Sequence, residues 1–150
     1  MATECSRRVV IDAPSDDVWR VLADVERMPE WTASMTSARI VEGTATGAGV
    51  GLGLAVEIEQ PRMPAMVWTV DELTPGRHFR WVATKSGVTT YGDHWVEPID
   101  DGSRTAVRLG IRHTGPLASL VGALTLRRTA RYVDLEAEGL KARCEAVAER

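Results

Sequence analysis

The segment from Val10 to Met35 constrains the fold more than any other part of the chain, because it combines strand, proline and helix signals. Val9 and Ile11 share one face of an extended chain, which predicts a strand that ends just before Pro14. Pro14 and Ser15, residue types that favour turns and helix caps, follow this strand directly. The chain is therefore expected to pass from strand to helix within a few residues.

A short helix is predicted to begin at Ser15. This residue suits the N-cap, and Asp16 and Asp17 place carboxylates in the first turn, where the helix dipole favours negative charge. Pro29 interrupts the pattern, since proline inside a helix removes a backbone hydrogen bond. We therefore expect two short helices separated near Asp24 rather than one long helix.

The middle of the chain has a pattern that predicts successive antiparallel strands. The predicted strands cover Met35–Val41, Ala48–Ile58, Met66–Leu73, Arg77–Thr84, Val88–Pro98 and Thr105–His113. The second of these has apolar residues at every other position, which is typical of a strand with one buried face. The pair Asp101-Gly102 indicates a hairpin between the last two strands. Six or seven strands in sequence order predict a meander rather than a parallel sheet.

The last third of the chain is predicted to be helical from about Pro116, a residue tolerated at a helix start. One face of this helix, centred on Val133, is expected to pack on the sheet. That face comprises Gly122, Leu126, Thr129, Ala130, Val133, Ala137, Leu140, Cys144 and Val147. Leu117, Leu120 and Leu124 fall on the opposite side, and two interpretations stay open for them: the lip of a pocket, or a homodimer contact.

Composition argues against several classes of function. The net charge of −3 gives no basic field for nucleic acid, so no nucleic-acid partner is expected. Met1–Arg8 lacks an apolar leader, and no apolar run is long enough for an integral membrane segment, so a cytoplasmic protein is expected. The length suits a single domain over residues 1–150 with one core. Cys5 and Cys144 are expected to stay reduced.

Neither the glycines nor the histidines indicate a cofactor. The glycine series in the second predicted strand is Gly47, Gly49, Gly51 and Gly53. A phosphate cradle needs backbone N–H groups at a helix N-terminus, so this series indicates a bent or closely approached strand instead. His78, His94 and His113 lack the short spacing of metal ligands. No metal and no other cofactor is therefore expected.

Four motifs together resemble one superfamily. The pattern I-x-A-P-x-x-x-V-W-x-x-L-x-D-x-x-x-x-P-x-W spans Ile11–Trp31. Three more are E-L-x-P-G-R-x-F-x-W at Glu72–Trp81, H-x-V-E-P at His94–Pro98 and D-G-S-R-T at Asp101–Thr105. They resemble the SRPBCC superfamily, which includes START-type lipid carriers, the birch-pollen-allergen class and polyketide cyclase/dehydrase-like proteins. The resemblance implies an α+β helix-grip fold, in which a curved antiparallel sheet of six to seven strands wraps around a long C-terminal helix, with two short helices after strand 1.

The same resemblance implies an apolar pocket between the sheet and the long helix. The first functional hypothesis is the binding or transport of a hydrophobic small molecule, such as a lipid or a polyketide-like compound. One alternative is a polyketide aromatase/cyclase or dehydratase, and another is a partner-binding module with a vestigial pocket. Whether the chain is an enzyme stays open, because no Ser-His-Asp, Cys-His or close carboxylate pair can be assembled from its sequence.

Strand phase selects the residues predicted to line this pocket. His94 is in phase with Val96, so its ring is expected to point inward, either toward a ligand or as a satisfied core residue. Counting from the hairpin turn places His94 opposite Arg108, while His113 lines the same interior farther along. The complete predicted ligand-binding set is Trp31, Leu54, Val56, Trp68, Phe79, Trp81, His94, Val96, His113, Leu126 and Val133.

The five tryptophans are assigned by the same strand phases. An indole is amphipathic, so it suits the wall of a cavity as well as a core. Trp19 and Trp31 are interpreted mainly as core residues, and Trp68 and Trp81 equally as core and cavity wall. Trp95 is out of phase with His94 and is expected on the outer face of the sheet.

Overall fold

The computed structural model of the protein describes residues 3–44 and 49–148. The strands are β1 (Thr3–Ile11), β2 (Ser37–Glu42), β3 (Ala55–Glu59), β4 (Met66–Thr74), β5 (His78–Lys85), β6 (Val88–Ile99) and β7 (Arg104–Thr114). The helices are α1 (Ser15–Ala23), a 3₁₀ helix (Val25–Glu30) and α2 (Ala118–Ala148), and a single 3₁₀ turn (Asp100–Gly102) joins β6 to β7. All seven strands form one antiparallel sheet. The predicted α+β helix-grip fold is confirmed.

The order of the strands in the sheet is β1-β7-β6-β5-β4-β3-β2. Strands β2 to β7 form the predicted meander, but the expectation of sequence order is wrong for β1, which pairs with β7. Ile11 lies opposite Thr105, and Thr3 lies opposite His113. The reason is that α1 and the 3₁₀ helix carry the chain across to the far edge of the sheet. The first and last strands therefore become neighbours.

The start of α1 differs by one residue from the predicted cap. Ser15 is the first helical residue and its side chain makes no capping hydrogen bond. The carbonyl of Pro14 instead accepts hydrogen bonds from the N–H groups of Asp17 and Val18, both at 3.1 Å. Pro14 suits this position because its ring holds the extended backbone that precedes the first turn. The break between the two helices falls at Asp24, as predicted.

The long strand predicted over residues 48–58 is wrong, because β3 covers only its last part. Leu52, expected on the buried face, is 67% exposed. Gly49 and Gly53 have φ angles of 95° and 81°, a left-handed conformation that does not continue a strand. The sequence alternates here, but the chain forms a loop before β3. Ala48 lies outside the described residues.

Gly49, before β3, allows the backbone to come close to another segment, as predicted, but it lies in a loop rather than in a strand. A Cβ atom added at Gly49 would lie 2.6 Å from the carbonyl oxygen of Ala23, at the end of α1. Only glycine fits such a contact with backbone. Gly47, from the same series, lies outside the described residues.

Helix α2 packs chiefly on β1 and β7. Five residues of the predicted face are buried, namely Gly122, Val133, Ala137, Leu140 and Cys144, and Ala118 at the start of the helix is buried as well. Leu126 and Val147 were assigned to that face, but they are 48% and 43% exposed. Leu126 lies over the start of β1, the edge strand, where no further strand covers it, and Val147 lies in the last turn. Among the helices of the described ranges, none has the length and apolarity needed to cross a membrane.

Both cysteines are free thiols. Cys144 is buried in α2, and this burial raises the pKa of its thiol to about 12. Cys5 is half-buried on β1, where burial also raises the thiol pKa. Because the thiolate is the reactive form, both side chains act as small apolar residues at neutral pH.

Polar contacts join β1 to the second half of α2. The Arg7 guanidinium donates to Asp134 at 2.9 Å, and the Asp12 N–H donates to Glu145 at 2.9 Å. Lys141 Nζ donates to a carbonyl of β1 at 3.0 Å. These hydrogen bonds join residues 127 to 133 positions apart in the sequence. The two ends of the described chain are thus held together directly.

Helix α2 makes a close backbone approach to the rest of the molecule at Gly139. A Cβ atom added there would lie 1.8 Å from the carbonyl oxygen of Trp31. Since any side chain would overlap this backbone, glycine sets the distance between α2 and the turn after the 3₁₀ helix.

Candidate functional site

A cavity lies between the inner face of the sheet and α2. Its volume is about 90 Å³, measured as the space open to the centre of a water molecule. One water needs roughly 10–15 Å³ on this measure, so the cavity holds several waters or part of an organic molecule. The predicted internal cavity is therefore present.

One wall of the cavity is apolar and built on the sheet. Trp68 and Trp81 pack with ring centroids 6.0 Å apart and planes tilted by 44°. A Cβ atom at Gly92 would lie 2.6 Å from Trp81 Nε1, so this glycine lets the indole lie flat on β6. Met63 and Met66 complete the wall on the side of β4. Methionine is flexible and polarisable, which makes this side of the cavity adaptable.

His94 introduces a polar group into the middle of the apolar wall. Its ring is buried and stacks on Phe79, with centroids 4.0 Å apart and planes within 10°. His94 Nδ1 lies 3.2 Å from the Phe79 carbonyl oxygen. A carbonyl only accepts hydrogen bonds, so Nδ1 carries the proton and donates it. The other ring nitrogen, Nε2, is consequently left to face α2.

Glu136 faces this nitrogen from α2. Its Oε1 lies 3.4 Å from His94 Nε2, and its side chain is mostly buried. With Nδ1 already donating, a neutral ring and a carboxylate would present two acceptors to each other. In this tautomer the two atoms are therefore not hydrogen-bonded to each other. Within the described residues, Glu136 Oε1 makes no hydrogen bond, so it is free to bond to a ligand.

His113 is a second histidine on the cavity wall. Its Nδ1 lies 2.9 Å from the Thr90 hydroxyl. Nε2 is buried and finds no hydrogen-bond partner in residues 3–44 or 49–148. Burial lowers the pKa of His113, which favours the neutral ring at neutral pH. The cavity thus holds two polar atoms, on His113 and Glu136, that lack partners.

Because of His113, the stability of the protein is expected to decrease as the pH decreases. Its pKa is lower in the folded than in the unfolded protein, so the unfolded state binds the proton first as the pH drops below about 6.5. The free energy of unfolding should therefore decrease below that pH. Replacing His113 with glutamine should flatten this dependence between about pH 7 and 5 in urea unfolding. Identical pH slopes for the two proteins would contradict the assignment.

The mouth of the cavity lies where the loop between β3 and β4 meets α2. The Tyr132 hydroxyl donates a hydrogen bond to the carbonyl of Pro61, which ties the loop to the helix. Gln60 and Arg128 line the cavity at the same place.

The structure brings part of the predicted ligand-binding set to the cavity. The members on its wall are Trp68, Trp81, His94, His113 and Val133. The members buried in the core, away from the wall, are Trp31, Leu54, Val56, Phe79 and Val96. Leu126 lies outside, beside a small recess next to Glu4 and Cys5. Strand phase identifies the inner face but not the position along it, so core and cavity residues were selected together.

The register at His94 differs from the prediction by one residue. His94 lies opposite Leu109, and Arg108 lies opposite Trp95. Ile99 pairs with Arg104, so the hairpin is centred between Asp101 and Gly102, and this centre places Leu109 rather than Arg108 opposite His94. The side of the sheet was nevertheless correct, since Trp95 is exposed on the outer face.

Sequence reasoning missed the polar residues that α2 contributes. Glu136 lies four positions after Tyr132 and three after Val133, spacings that make it a neighbour of both on the helix surface. Thr90 is in phase with His94 on β6 and could have been found in the same way. Of the side chains within residues 3–44 and 49–148, no group of three His, Cys, Asp or Glu is placed to hold a metal ion.

A sheet wrapped around a long helix, with a cavity between them, defines the helix-grip class of proteins. Residues 2–145 match the family described as polyketide cyclase / dehydrase and lipid transport. The chain therefore belongs to this family, as the sequence motifs predicted. A search of curated proteins found no match.

Several solved structures share the fold. The Zhui aromatase/cyclase from Streptomyces sp. R1128 has 18% identity and a TM-score of 0.74, with 99% of this chain and 96% of that chain covered. The di-domain aromatase/cyclase BexL, from the BE-7585A biosynthetic pathway, has 21% identity and a TM-score of 0.75. The match covers 98% of this chain and 48% of that chain. A START superfamily protein from Mycobacterium smegmatis has 14% identity and a TM-score of 0.70, with 94% and 98% covered. At these identities the similarity shows the fold alone.

Proposed function

We propose that the protein binds a hydrophobic small molecule carrying a carbonyl or hydroxyl group, such as a lipid or a polyketide-like compound. The observation that supports this is the pair of partnerless polar atoms, Glu136 Oε1 and His113 Nε2, in a largely apolar cavity. Buried polar atoms without partners are rare, and each costs about 1–3 kcal/mol. A ligand that presents polar groups to both atoms offsets this cost.

The cavity must widen to admit a whole ligand of this kind. Its volume of about 90 Å³ accommodates only part of such a molecule. Met35, Met63 and Met66 lie on the wall, and unbranched side chains of this type change rotamer readily. We propose that these methionines rearrange around the apolar part of the ligand, while the polar groups stay fixed on the sheet and α2.

Binding can be tested with the fluorescent probe N-phenyl-1-naphthylamine. We expect one probe molecule to bind per chain, and fatty acids or aromatic ketones to displace it. Native mass spectrometry of the freshly purified protein would identify any molecule that is already bound. A folded protein that binds neither the probe nor its competitors would favour the alternative of a partner-binding module with a vestigial pocket.

Replacing His94 with phenylalanine should weaken the binding of a hydroxyl-bearing competitor by about 1–3 kcal/mol, because the ligand hydroxyl loses His94 Nε2 as its acceptor. The ring volume is similar, so the fold should be retained with a lower melting temperature. The matched control is His78→Phe, because His78 is equally buried but lies on the outer face, stacked on Trp95. This control should change stability without changing affinity. Equal losses of affinity in both variants would contradict a ligand role for His94.

A second candidate function, polyketide cyclisation or dehydration, is favoured by the placement of His94 and Glu136 on the cavity wall, with Nε2 and Oε1 3.4 Å apart. General acid–base catalysis needs a proton-holding group within reach of the reacting atom. The test is hydrogen–deuterium exchange at the acidic carbon of a β-diketone in D2O, followed by NMR. We expect Glu136→Gln to abolish any exchange above background and Glu138→Gln, on the exposed side of α2, to keep it. Absence of exchange in the unmodified protein would leave binding as the function.

Three further predictions from the sequence accompany this proposal. We propose that the protein acts in the cytoplasm and that nucleic acid is not its partner. A homodimer formed through Leu117, Leu120 and Leu124 also stays a prediction. Sedimentation velocity of the purified protein gives its oligomeric state directly.

A further inference from the structure

Exposed leucines lie at the start of α2, beside the cavity. Leu117, Leu120 and Leu124 are 47%, 59% and 77% exposed. None of them lines the cavity, so they do not form its inner lip. They recur along one side of the helix at intervals of three and four residues, which makes a continuous apolar strip. A strip of this kind in contact with water marks an interaction surface.

Arginines follow the leucine strip in the next turns of α2. Arg127 and Arg131 are exposed, and Arg128 lies at the cavity mouth. In the described part of the chain, none of these arginines forms an ion pair. The sequence contains no Asp or Glu at all from Gly102 to Val133. The first half of α2 is therefore apolar and basic, with no acidic group of its own.

Two loops add further cations at the same end of the molecule. Arg62 lies on the β3–β4 loop, which Tyr132 ties to α2, and its side chain is exposed. Lys85 lies at the turn between β5 and β6, where a Cβ at Gly87 would lie 3.8 Å from Leu117. The loop and the turn thus bring their cations beside the helix.

The acidic residues of this end are few. The antiparallel order places the end of β3 and the start of β1 here, and with them Glu59 and Glu4. The cations of α2 and of the two loops outnumber these two carboxylates. The chain as a whole nevertheless has a net charge of −3. The negative charge of the protein therefore lies mainly away from the cavity mouth.

We propose that this surface docks onto an anionic lipid bilayer, with the cavity mouth facing the membrane. Exposed leucines beside arginines are the pattern by which amphipathic helices insert their apolar side at the membrane interface and bind lipid phosphates with the basic side. A symmetric contact with a second copy fits less well, because it places the same arginines against one another. The proposal goes beyond ligand binding, and it gives a bound hydrophobic molecule a direct route between cavity and bilayer.

The test is co-sedimentation with vesicles of two compositions. We expect binding to vesicles of equal parts phosphatidylglycerol and phosphatidylcholine, weaker binding at high salt, and little binding to phosphatidylcholine alone. The double variants Leu120→Ser/Leu124→Ser and Arg127→Glu/Arg131→Glu should each lower the affinity by about tenfold or more. Matched controls are Leu52→Ser and Arg77→Glu, which change an exposed leucine and an exposed arginine at the opposite end of the sheet.

Two results would overturn the proposal. The first is an absence of binding to the anionic vesicles at low salt, and the second is binding that the α2 variants and the controls affect equally. A dimer that the leucine variant dissociates, without any vesicle binding, would assign the strip to a second copy instead. Titration with N-phenyl-1-naphthylamine in the absence of vesicles tests the cavity separately. Failure of membrane docking is therefore distinguishable from failure of ligand binding.

Discussion

Replacing Gly139 with alanine is expected to destabilise the protein by about 3 kcal/mol or more, because the added methyl group overlaps backbone. The Cβ atom would lie 1.8 Å from the Trp31 carbonyl oxygen and 3.3 Å from the Thr32 Cα atom. Backbone atoms cannot rotate away as a flexible side chain can, so α2 itself must move. In an uncrowded helix the same change stabilises by about 1 kcal/mol. The sign of the effect therefore reports directly on this contact.

Urea unfolding followed by tryptophan fluorescence measures this change in free energy. The matched control is Gly110→Ala on β7, where the nearest heavy atom, Ser6 Cβ, would lie at an ordinary 3.7 Å. We expect the control to change the free energy of unfolding by less than about 1 kcal/mol. A neutral or stabilising Gly139→Ala would show that α2 does not approach the turn after the 3₁₀ helix as closely as described.

Replacing Phe79 with alanine is expected to cost about 3–5 kcal/mol, the range for removing a large buried ring. Phe79 is fully buried and forms edge contacts with Trp19 at 6.0 Å and with Trp81 at 5.5 Å between centroids. It also stacks on His94. Its removal leaves a cavity between three rings that hold one another in place, so the loss should exceed that of an isolated apolar residue.

The same variant connects the core to the candidate site. Phe79 does not line the cavity, but its ring supports His94 and Trp81, which do. We expect Phe79→Leu to cost less than about 2 kcal/mol and to keep probe affinity, whereas Phe79→Ala should lower both stability and affinity. Both quantities can be measured on the same samples, by chemical unfolding and by probe titration. A Leu variant as unstable as the Ala variant would contradict the cavity explanation.

Local signals in the sequence predicted most of the elements correctly. The break at Asp24 and the hairpin around Asp101-Gly102 depend on residues within a few positions of each other, and both are found in the structure. The strand predicted over 48–58 failed because alternation alone does not reveal the positive φ angles at Gly49 and Gly53. The pairing of β1 with β7 could not be predicted from any local pattern, since the two strands are distant in the sequence.

The candidate site was less predictable than the fold for a related reason. Phe79 and Trp81 share one face of β5, and strand phase cannot decide which of them borders the cavity. That difference depends on where α2 crosses the sheet, and the crossing depends on Gly139 and on contacts with β1. The polar groups of the site come from both layers, so neither strand nor helix periodicity alone brings His94 and Glu136 together.

The pairing of the first strand with the last also governs the order in which the protein can form. During synthesis β1 leaves the ribosome well before β7 and before Asp134 and Lys141, the α2 side chains that bind β1. Contacts of such long sequence separation must overcome the entropy of closing a large loop, which slows folding. Until then β1 is an unpaired strand, exposed to association with other chains. A nascent chain therefore pairs β1 and completes its cavity only after β7 and α2 have been made.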